Sequence, residues 1–404
     1  MATPIMVMGC TSDAGKSFLV TALCRHFANR GVRVAPFKAQ NMSNNAAVTP
    51  DGLEIGRAQY LQALAARTTP QTRMNPVLLK PSADTFSQVI VMGQVNTAAS
   101  TLPWLERKHY LWPIVREALH GLLHDYQQVI IEGAGSPAEV NLRAGDIVNM
   151  SVALECHADV YLAADIDRGG AFAHLLGTWH CLEADERARV KGFVLNKFRG
   201  DPALLGNAMD WLQERTGIPT VAIIPLISHT LPEEDTLQHR AALDPRQINL
   251  ALIAYPYASN LDEFDALIHE QGVTVVPVRN CARLDGYHAI LLPGSKNTAA
   301  SLRYLRQSGL AAEISQAARR GVLVFGSCGG MQLLGREIFD PYQIESGDCP
   351  GLGLLDLTTT LVAQKTTRQR ETRWNGVPVR GYEIHHGQTQ AGPGVCEYLP
   401  DGLG

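Results

Sequence analysis

Charge of one sign is scarce in this 404-residue sequence: 39 acidic residues against 35 basic ones leave a formal net charge of -4, spread along the chain. No basic tract points to nucleic acid and no acidic tail to disorder. Paired cysteines are also lacking. The eight thiols, at Cys10, Cys24, Cys156, Cys181, Cys281, Cys328, Cys349 and Cys396, form no CxxC pair and no Cys/His spacing of a zinc site, so free thiols in a reducing cytoplasm are expected. No apolar run is long enough to span a bilayer, and Met1 leads into an apolar strand without a basic leader or a small-residue cleavage site. These absences predict a cytoplasmic chain with neither membrane nor nucleic-acid partner, and they leave its oligomeric state open.

What is present is core-forming material. With 46% hydrophobic and 18% charged residues the chain can bury two sizeable cores. Short β-branched runs alternate with helical patterns: a strand at Pro4–Met8, a helix from Lys16 to Arg30, then strands at Val32–Phe37, Gln128–Glu132, Asp159–Asp165, Lys191–Leu195 and Thr220–Ile224. Such βαβ alternation predicts a parallel sheet. A polar stretch with Pro232, Pro245 and the acidic run Glu233–Asp235 reads as a linker, after which strands recur at Asn249–Ala254, Val273–Pro277, His288–Leu292 and Gly321–Phe325. Helices are predicted around Leu261–Gln271 and Gly309–Arg320. The expected organisation is α/β throughout: a parallel-sheet phosphate-loop domain over 1–227, a linker over 228–247, and a second, flavodoxin-like α/β domain over 248–404.

Gly9-Cys10-Thr11-Ser12-Asp13-Ala14-Gly15-Lys16-Ser17 follows a strand and opens a helix. In that context backbone N–H groups and a helix N-terminus cradle phosphate, although the spacing is one residue longer than the usual Walker A pattern. Lys16 is expected to reach the terminal phosphates of ATP and the Ser17 hydroxyl to sit on Mg²⁺. Glu132 ends a buried strand before Gly133-Ala134-Gly135-Ser136, which presents a carboxylate for metal or substrate at the sheet edge that binds ligands. Asp165 and Asp167 end the next strand in the same way, with helix capping as the alternative. Lys38, at the end of the second strand, either faces the same phosphates or is solvated, and the Asn196 amide is placed to read an adenine edge.

Val322–Phe325 followed by Gly326-Ser327-Cys328-Gly329-Gly330 and an apolar helix has the layout of a nucleophile elbow with sulfur in place of oxygen. Leu291-Leu292-Pro293-Gly294 closes another strand nearby. Backbone N–H groups at Gly294, Gly329 and Gly330 are the expected oxyanion and glutamine site.

The Gly9–Ser17 loop, Pro36–Asn44, Glu132–Glu139, Asp165–Gly170 and the Cys328 elbow together resemble the cobyric acid synthase family, over essentially the whole chain. The resemblance implies a dethiobiotin synthetase-like domain joined to a class I glutamine amidotransferase-like domain. It implies amidation of the b, d, e and g carboxylates of adenosylcobyrinic acid a,c-diamide, with ATP, glutamine and the corrinoid as small-molecule substrates. By position, Gly9–Ser17 bind ATP, Glu132 assists Mg²⁺ and Cys328 forms a glutamyl thioester. The family also implies a histidine from a later stretch as the partner of the cysteine, whereas the sequence stops at Asp401–Gly404 and offers His385 and His386 in a segment that matches an earlier part of the family. This makes a C-terminally shortened form that uses free ammonia one alternative. A ParA- or MinD-like nucleotide switch, which leaves the elbow unexplained, is the other.

Overall fold

In this computed structural model residues 3–83, 86–229, 231, 241–280, 283–396 and 399 are described. Cys281, half of the expected linker (230 and 232–240) and the last five residues lie outside that set. Two compact units result: one of residues 1–42, 53–79 and 89–231, the other of 43–52, 80–88 and the described part of 232–404.

The first unit is organised by apolar runs too uniform to leave one face wet. β1 (Ile5–Gly9), β2 (Val34–Phe37), β3 (Gln128–Glu132), β4 (Asp159–Asp165), β5 (Val190–Phe198) and β6 (Thr220–Pro225) form one sheet in the order β6-β5-β4-β1-β3-β2. All its neighbouring strands are parallel, and such strands need helices on both faces. One face packs Val7, Val34, Ile130 and Ala163 on Leu19, Val20 and Cys24 of α1 (Lys16–Asn29). The other side chains of the same strands, Met6, Met8 and Ile131, are equally buried, as are Leu111, Val115 and Leu119 of α2 (Trp104–Asp125). Each such side chain contributes about 1.5–3 kcal/mol by leaving water.

β1 lies between β3 and β4, pairing Val7 with Glu132 and Gly9 with Ala163. The loop after β1 therefore emerges beside the carboxyl ends of both neighbours, the crevice where open α/β sheets bind ligands.

The second unit repeats the logic on a smaller scale. β7 (Ile248–Ile253), β8 (Val273–Val278), β9 (Ala289–Leu292) and β10 (Leu323–Gly326) form a parallel sheet in the order β8-β7-β9-β10. Ala251, Ile253, Ile290 and Leu292 pack on Leu302 and Leu305 of α3 (Thr298–Gln307) and on Leu310 and Ile314 of α4 (Leu310–Arg319). Leu250, Leu252, Val275 and Leu291 form the other face with Phe264.

Two expectations change. The helix predicted at Leu261–Gln271 is a 3-10 turn, Leu261–Phe264, followed by one α-turn, Asp265–Ile268. Asn260, its N-cap, makes no cap hydrogen bond and instead uses its side-chain oxygen on the Ala46 amide. A long antiparallel ribbon, β11 (Leu357–Trp374) and β12 (Val377–Ala391), was not anticipated; it closes at Asn375-Gly376, both at positive φ. Among the described residues no helix is long and apolar enough to cross a membrane.

Candidate functional site

In the first unit the loop folds tightly over the N-terminus of α1. Gly15 caps the helix at φ +85°, and a Cβ built there would lie 2.1 Å from the Asn196 side-chain nitrogen. Only glycine accepts both that φ and that approach without strain. Lys16 is buried, with Nζ donating to the carbonyls of Thr11 and Gly135 at 3.3 Å each, so its ammonium lies within the concave face of the loop. Ser17 Oγ donates to Glu132 Oε1 at 2.9 Å.

Glu132 is fully buried and is the hub of the unit. The same Oε1 accepts from Lys38 Nζ at 2.8 Å, and Oε2 accepts from Gln62 Nε2 at 2.5 Å. Burial pushes its carboxyl up, but the Lys38 charge and hydrogen bond, the Gln62 bond and the Lys16 charge together outweigh burial and hold it below the usual carboxylate range. Lys38 is thus the buried counter-ion of Glu132 rather than a solvated lysine.

Ser17 Oγ and Glu132 Oε1 are hard oxygen donors within hydrogen-bond distance, and the side-chain oxygen of Gln62, whose nitrogen bonds Glu132, is buried without a partner among the described residues. This set fits Mg²⁺, which takes one or two protein oxygens and completes its shell with phosphate and water. No cluster of three or more His, Cys, Asp or Glu suited to a metal occurs among the described residues.

Asn196 does not present its amide nitrogen to a base: Nδ2 donates to the Ala14 carbonyl at 2.8 Å and braces the loop. Its neighbour Lys197, held at φ +61°, donates to the Asp13 carbonyl at 2.8 Å and to Asp165 Oδ2 at 3.0 Å. Asp13, Asp165 and Arg168 complete this brace, with Arg168 3.2 Å from Asp13 and 3.5 Å from Asp165. Asp165 also accepts from the Asp167 amide, an Asx-type turn, and Asp167 itself pairs outward with Arg199. Gln62 and the Lys197 brace were missed in the sequence because their partners are distant along the chain and no local period marks them.

In the second unit the turn between β10 and α5 (Gly329–Leu334) holds Cys328 at φ +49°, ψ −111°. A non-glycine residue there is strained, a state that persists where surrounding packing enforces it. The packing is visible: a Cβ on Gly330 would lie 2.0 Å from the Leu292 carbonyl oxygen, and one on Gly329 2.6 Å from the Ser295 nitrogen. Gly329 thereby backs directly onto the Gly294-Ser295 strand. The Gly330 N–H is committed to the Ser327 carbonyl at 2.7 Å, so among the three expected oxyanion glycines its part is close packing.

Cys328 is solvent-accessible at the wall of a pocket of about 620 Å³, open to bulk water, which Glu263, Gly294, Lys80, His385 and His386 also line. Protein atoms packed around the sulfur push its thiol up from 9.0 to about 11, and Glu263 adds to this; the Gly329 amide, Lys80 and Lys365 pull the other way. Glu263 Oε2 accepts from Ser327 Oγ at 2.6 Å. Both histidines engage Nδ1 with backbone carbonyls, His385 with Gly387 at 2.7 Å and His386 with Val362 at 3.0 Å. The structure thus brings to the cysteine pocket two histidines that the sequence placed in a separate segment.

Comparison with known proteins follows the same division. Residues 5–236 match the CobQ/CobB/MinD/ParA nucleotide binding domain, and residues 249–399 match the CobB/CobQ-like glutamine amidotransferase domain. A cobyric acid synthase of Deinococcus radiodurans is 55% identical over 412 residues, covering 98% of this chain and 86% of the relative. Those of Acidovorax ebreus and Polaromonas naphthalenivorans are 53% and 50% identical, over 97% and 100% of this chain and 84% and 87% of theirs. With a nucleotide-binding parallel sheet, a glutamine amidotransferase domain and identity of this order along its length, the chain belongs to the cobyric acid synthase family, glutamine amidotransferases and ligases of cobalamin biosynthesis.

Proposed function

We propose that this ligase amidates the b, d, e and g carboxylates of adenosylcobyrinic acid a,c-diamide, giving adenosylcobyric acid, with ATP activating each carboxylate and glutamine supplying the nitrogen. The observation that carries the reading is the strained Cys328 turn, open to a pocket, on a chain that also closes a phosphate loop over Ser17 and Glu132.

The substrate carboxylate oxygen attacks the γ-phosphorus of ATP, ADP leaves, and an acyl phosphate forms. Ammonia then attacks the acyl carbon, and inorganic phosphate leaves with the C–O bond. A free carboxylate resists this attack; the phosphate converts its oxygen into a leaving group. The residues Gly9, Thr11, Ser12, Asp13, Ala14 and Gly15 offer backbone N–H groups to the triphosphate, and Lys16 neutralises its terminal charge. Ser17 and Glu132 would hold Mg²⁺, which when bound neutralises phosphate charge. Lys38 keeps Glu132 ionised for that task, while Asn196 holds the loop shape by its bond to Ala14.

Cys328 Sγ, as thiolate, attacks the glutamine carboxamide carbon, and its oxyanion is met by backbone N–H groups around Gly294 and Gly329. Collapse expels ammonia and leaves a glutamyl thioester, which water hydrolyses to glutamate. A thiol raised to about 11 needs a base or a substrate-induced change to deliver thiolate at neutral pH, and we assign that role to the two imidazoles lining the same pocket, His385 and His386.

Mass spectrometry of the corrinoid after incubation with ATP and Mg²⁺, using glutamine in one arm and ammonium chloride in the other, tests the reading. Each amidation exchanges OH for NH₂ and lowers the product mass by a fixed step. Cys328→Ser is expected to abolish the glutamine arm and spare the ammonium arm. Loss of both arms refutes the division of labour, and no mass change in the parent protein refutes the substrate.

A further inference from the structure

Residues 43–52 lie just past β2 of the first unit in sequence, yet they fold into the second unit, as do residues 80–88. Each stretch brings one polar side chain to the cysteine pocket, Asn44 and Lys80 respectively. Asn44 is fixed there by its neighbour. The Asn260 amide donates to Asn45 Oδ1 at 2.7 Å, and the Ala46 amide donates to Asn260 Oδ1 at 2.9 Å, a reciprocal clamp between residues 215 and 214 positions apart. Asn260 takes up φ +53° to make it.

The side-chain oxygen of Asn44 is screened from solvent and has no hydrogen-bond partner among the described residues. A buried carbonyl oxygen left without a donor costs about 1–3 kcal/mol, and such orphans in native structures call for an explanation. Asn44 itself lines the same pocket as Cys328, together with the carboxylates Glu263 and Glu345 and the ammonium groups of Lys80, Lys296 and Lys365. A wall carrying amide acceptors and charges of both signs suits a zwitterionic amino acid.

We propose that Asn44 is a specificity residue for glutamine: its Oδ1 accepts a hydrogen bond from the α-ammonium of glutamine lying against Cys328. The proposal rests on the reading of Cys328 as the glutaminase nucleophile. It assigns to a stretch of the N-terminal half a part in recognising the nitrogen donor, and it gives a physical reason for the strained Asn260 clamp.

The test is protection of Cys328 from iodoacetamide in the full chain, followed by peptide mass spectrometry as glutamine is titrated, which requires no turnover. In the parent protein glutamine slows alkylation. Asn44→Ala is expected to raise the half-protecting glutamine concentration about tenfold, the loss of one hydrogen bond to a charged group, while alkylation without glutamine keeps its parental rate. Asn44→Asp retains an acceptor and is expected to keep protection within about threefold of the parent. Equal protection in Asn44→Ala overturns the proposal and leaves the Cys328 reading standing, as does loss in Asn44→Asp equal to that in Asn44→Ala. Absence of protection in the parent overturns both.

Discussion

Replacing Lys38 by methionine keeps an unbranched apolar side chain one atom shorter and removes the charged group that faces Glu132. The pair is 2.8 Å long with both members screened from solvent, and breaking a buried pair from one side costs about 3–5 kcal/mol, because the other charge stays in a medium that cannot solvate it. The pH dependence makes the test sharper than the magnitude. In the parent the folded-state pKa of Glu132 is depressed, so its contribution to stability is present above the unfolded pKa, about 4.3, and is lost only as pH falls through the lower folded value. In Lys38→Met burial, the largest influence on this carboxyl, loses its main opponent and the folded pKa rises above the unfolded one. Stability then grows as pH falls from 7 to 5, by about 1.4 kcal/mol for each unit of upward shift. Urea denaturation of parent and variant at pH 7 and pH 5 reads this directly, since all other groups cancel in the difference. The double variant Lys38→Met/Glu132→Gln should recover most of the loss at pH 7. A variant whose stability follows the parent's pH dependence, or a loss below about 1 kcal/mol at pH 7, would refute the hub role of Glu132.

Three further outcomes are expected. Gly15→Ala forces a left-handed φ on alanine beside the Asn196 amide 2.1 Å away, and calorimetry should show ATP binding weakened about tenfold or more; unchanged affinity would mean the loop tolerates reshaping. Glu263→Gln removes a charge that raises the Cys328 thiol, so alkylation at pH 8 should quicken by up to about tenfold, one unit of pKa, and a slower reaction contradicts the assignment. Gly330→Ala places a methyl 2.0 Å from the Leu292 carbonyl oxygen, which backbone cannot yield cheaply. It should destabilise the second unit by about 3 kcal/mol or more, and a neutral effect would show that the elbow is loosely packed.

The parts of this molecule legible in the sequence are those encoded within a dozen residues. Strands such as Gln128–Glu132 and Asp159–Asp165 coincide with their apolar runs, because burial on both faces leaves a hydrophobic block bounded by polar ends. The loop at Gly9–Ser17 and the turn at Cys328 were legible because glycine at fixed offsets reports backbone geometry directly. Partnership was not. Nothing near Gln62 announces Glu132, 70 residues away, and Lys38 gave two equal readings until its partner was seen. The β11–β12 ribbon escaped because its outer half is exposed and rich in Thr, Arg and Gln rather than alternating. Its one strong local signal was the dipeptide Asn375-Gly376, a pair suited to the two positive-φ positions of a tight hairpin.

The interleaving of residues 43–52 and 80–88 with the second unit bears on how such a chain can be taken apart. A fragment beginning at Ile248 would keep the sheet and the Cys328 turn but would lose Asn44, Lys80 and the asparagine clamp. The two halves are therefore not interchangeable cassettes, and a graft of a foreign glutaminase onto this synthetase would have to rewrite two stretches of its host, the first of them largely buried.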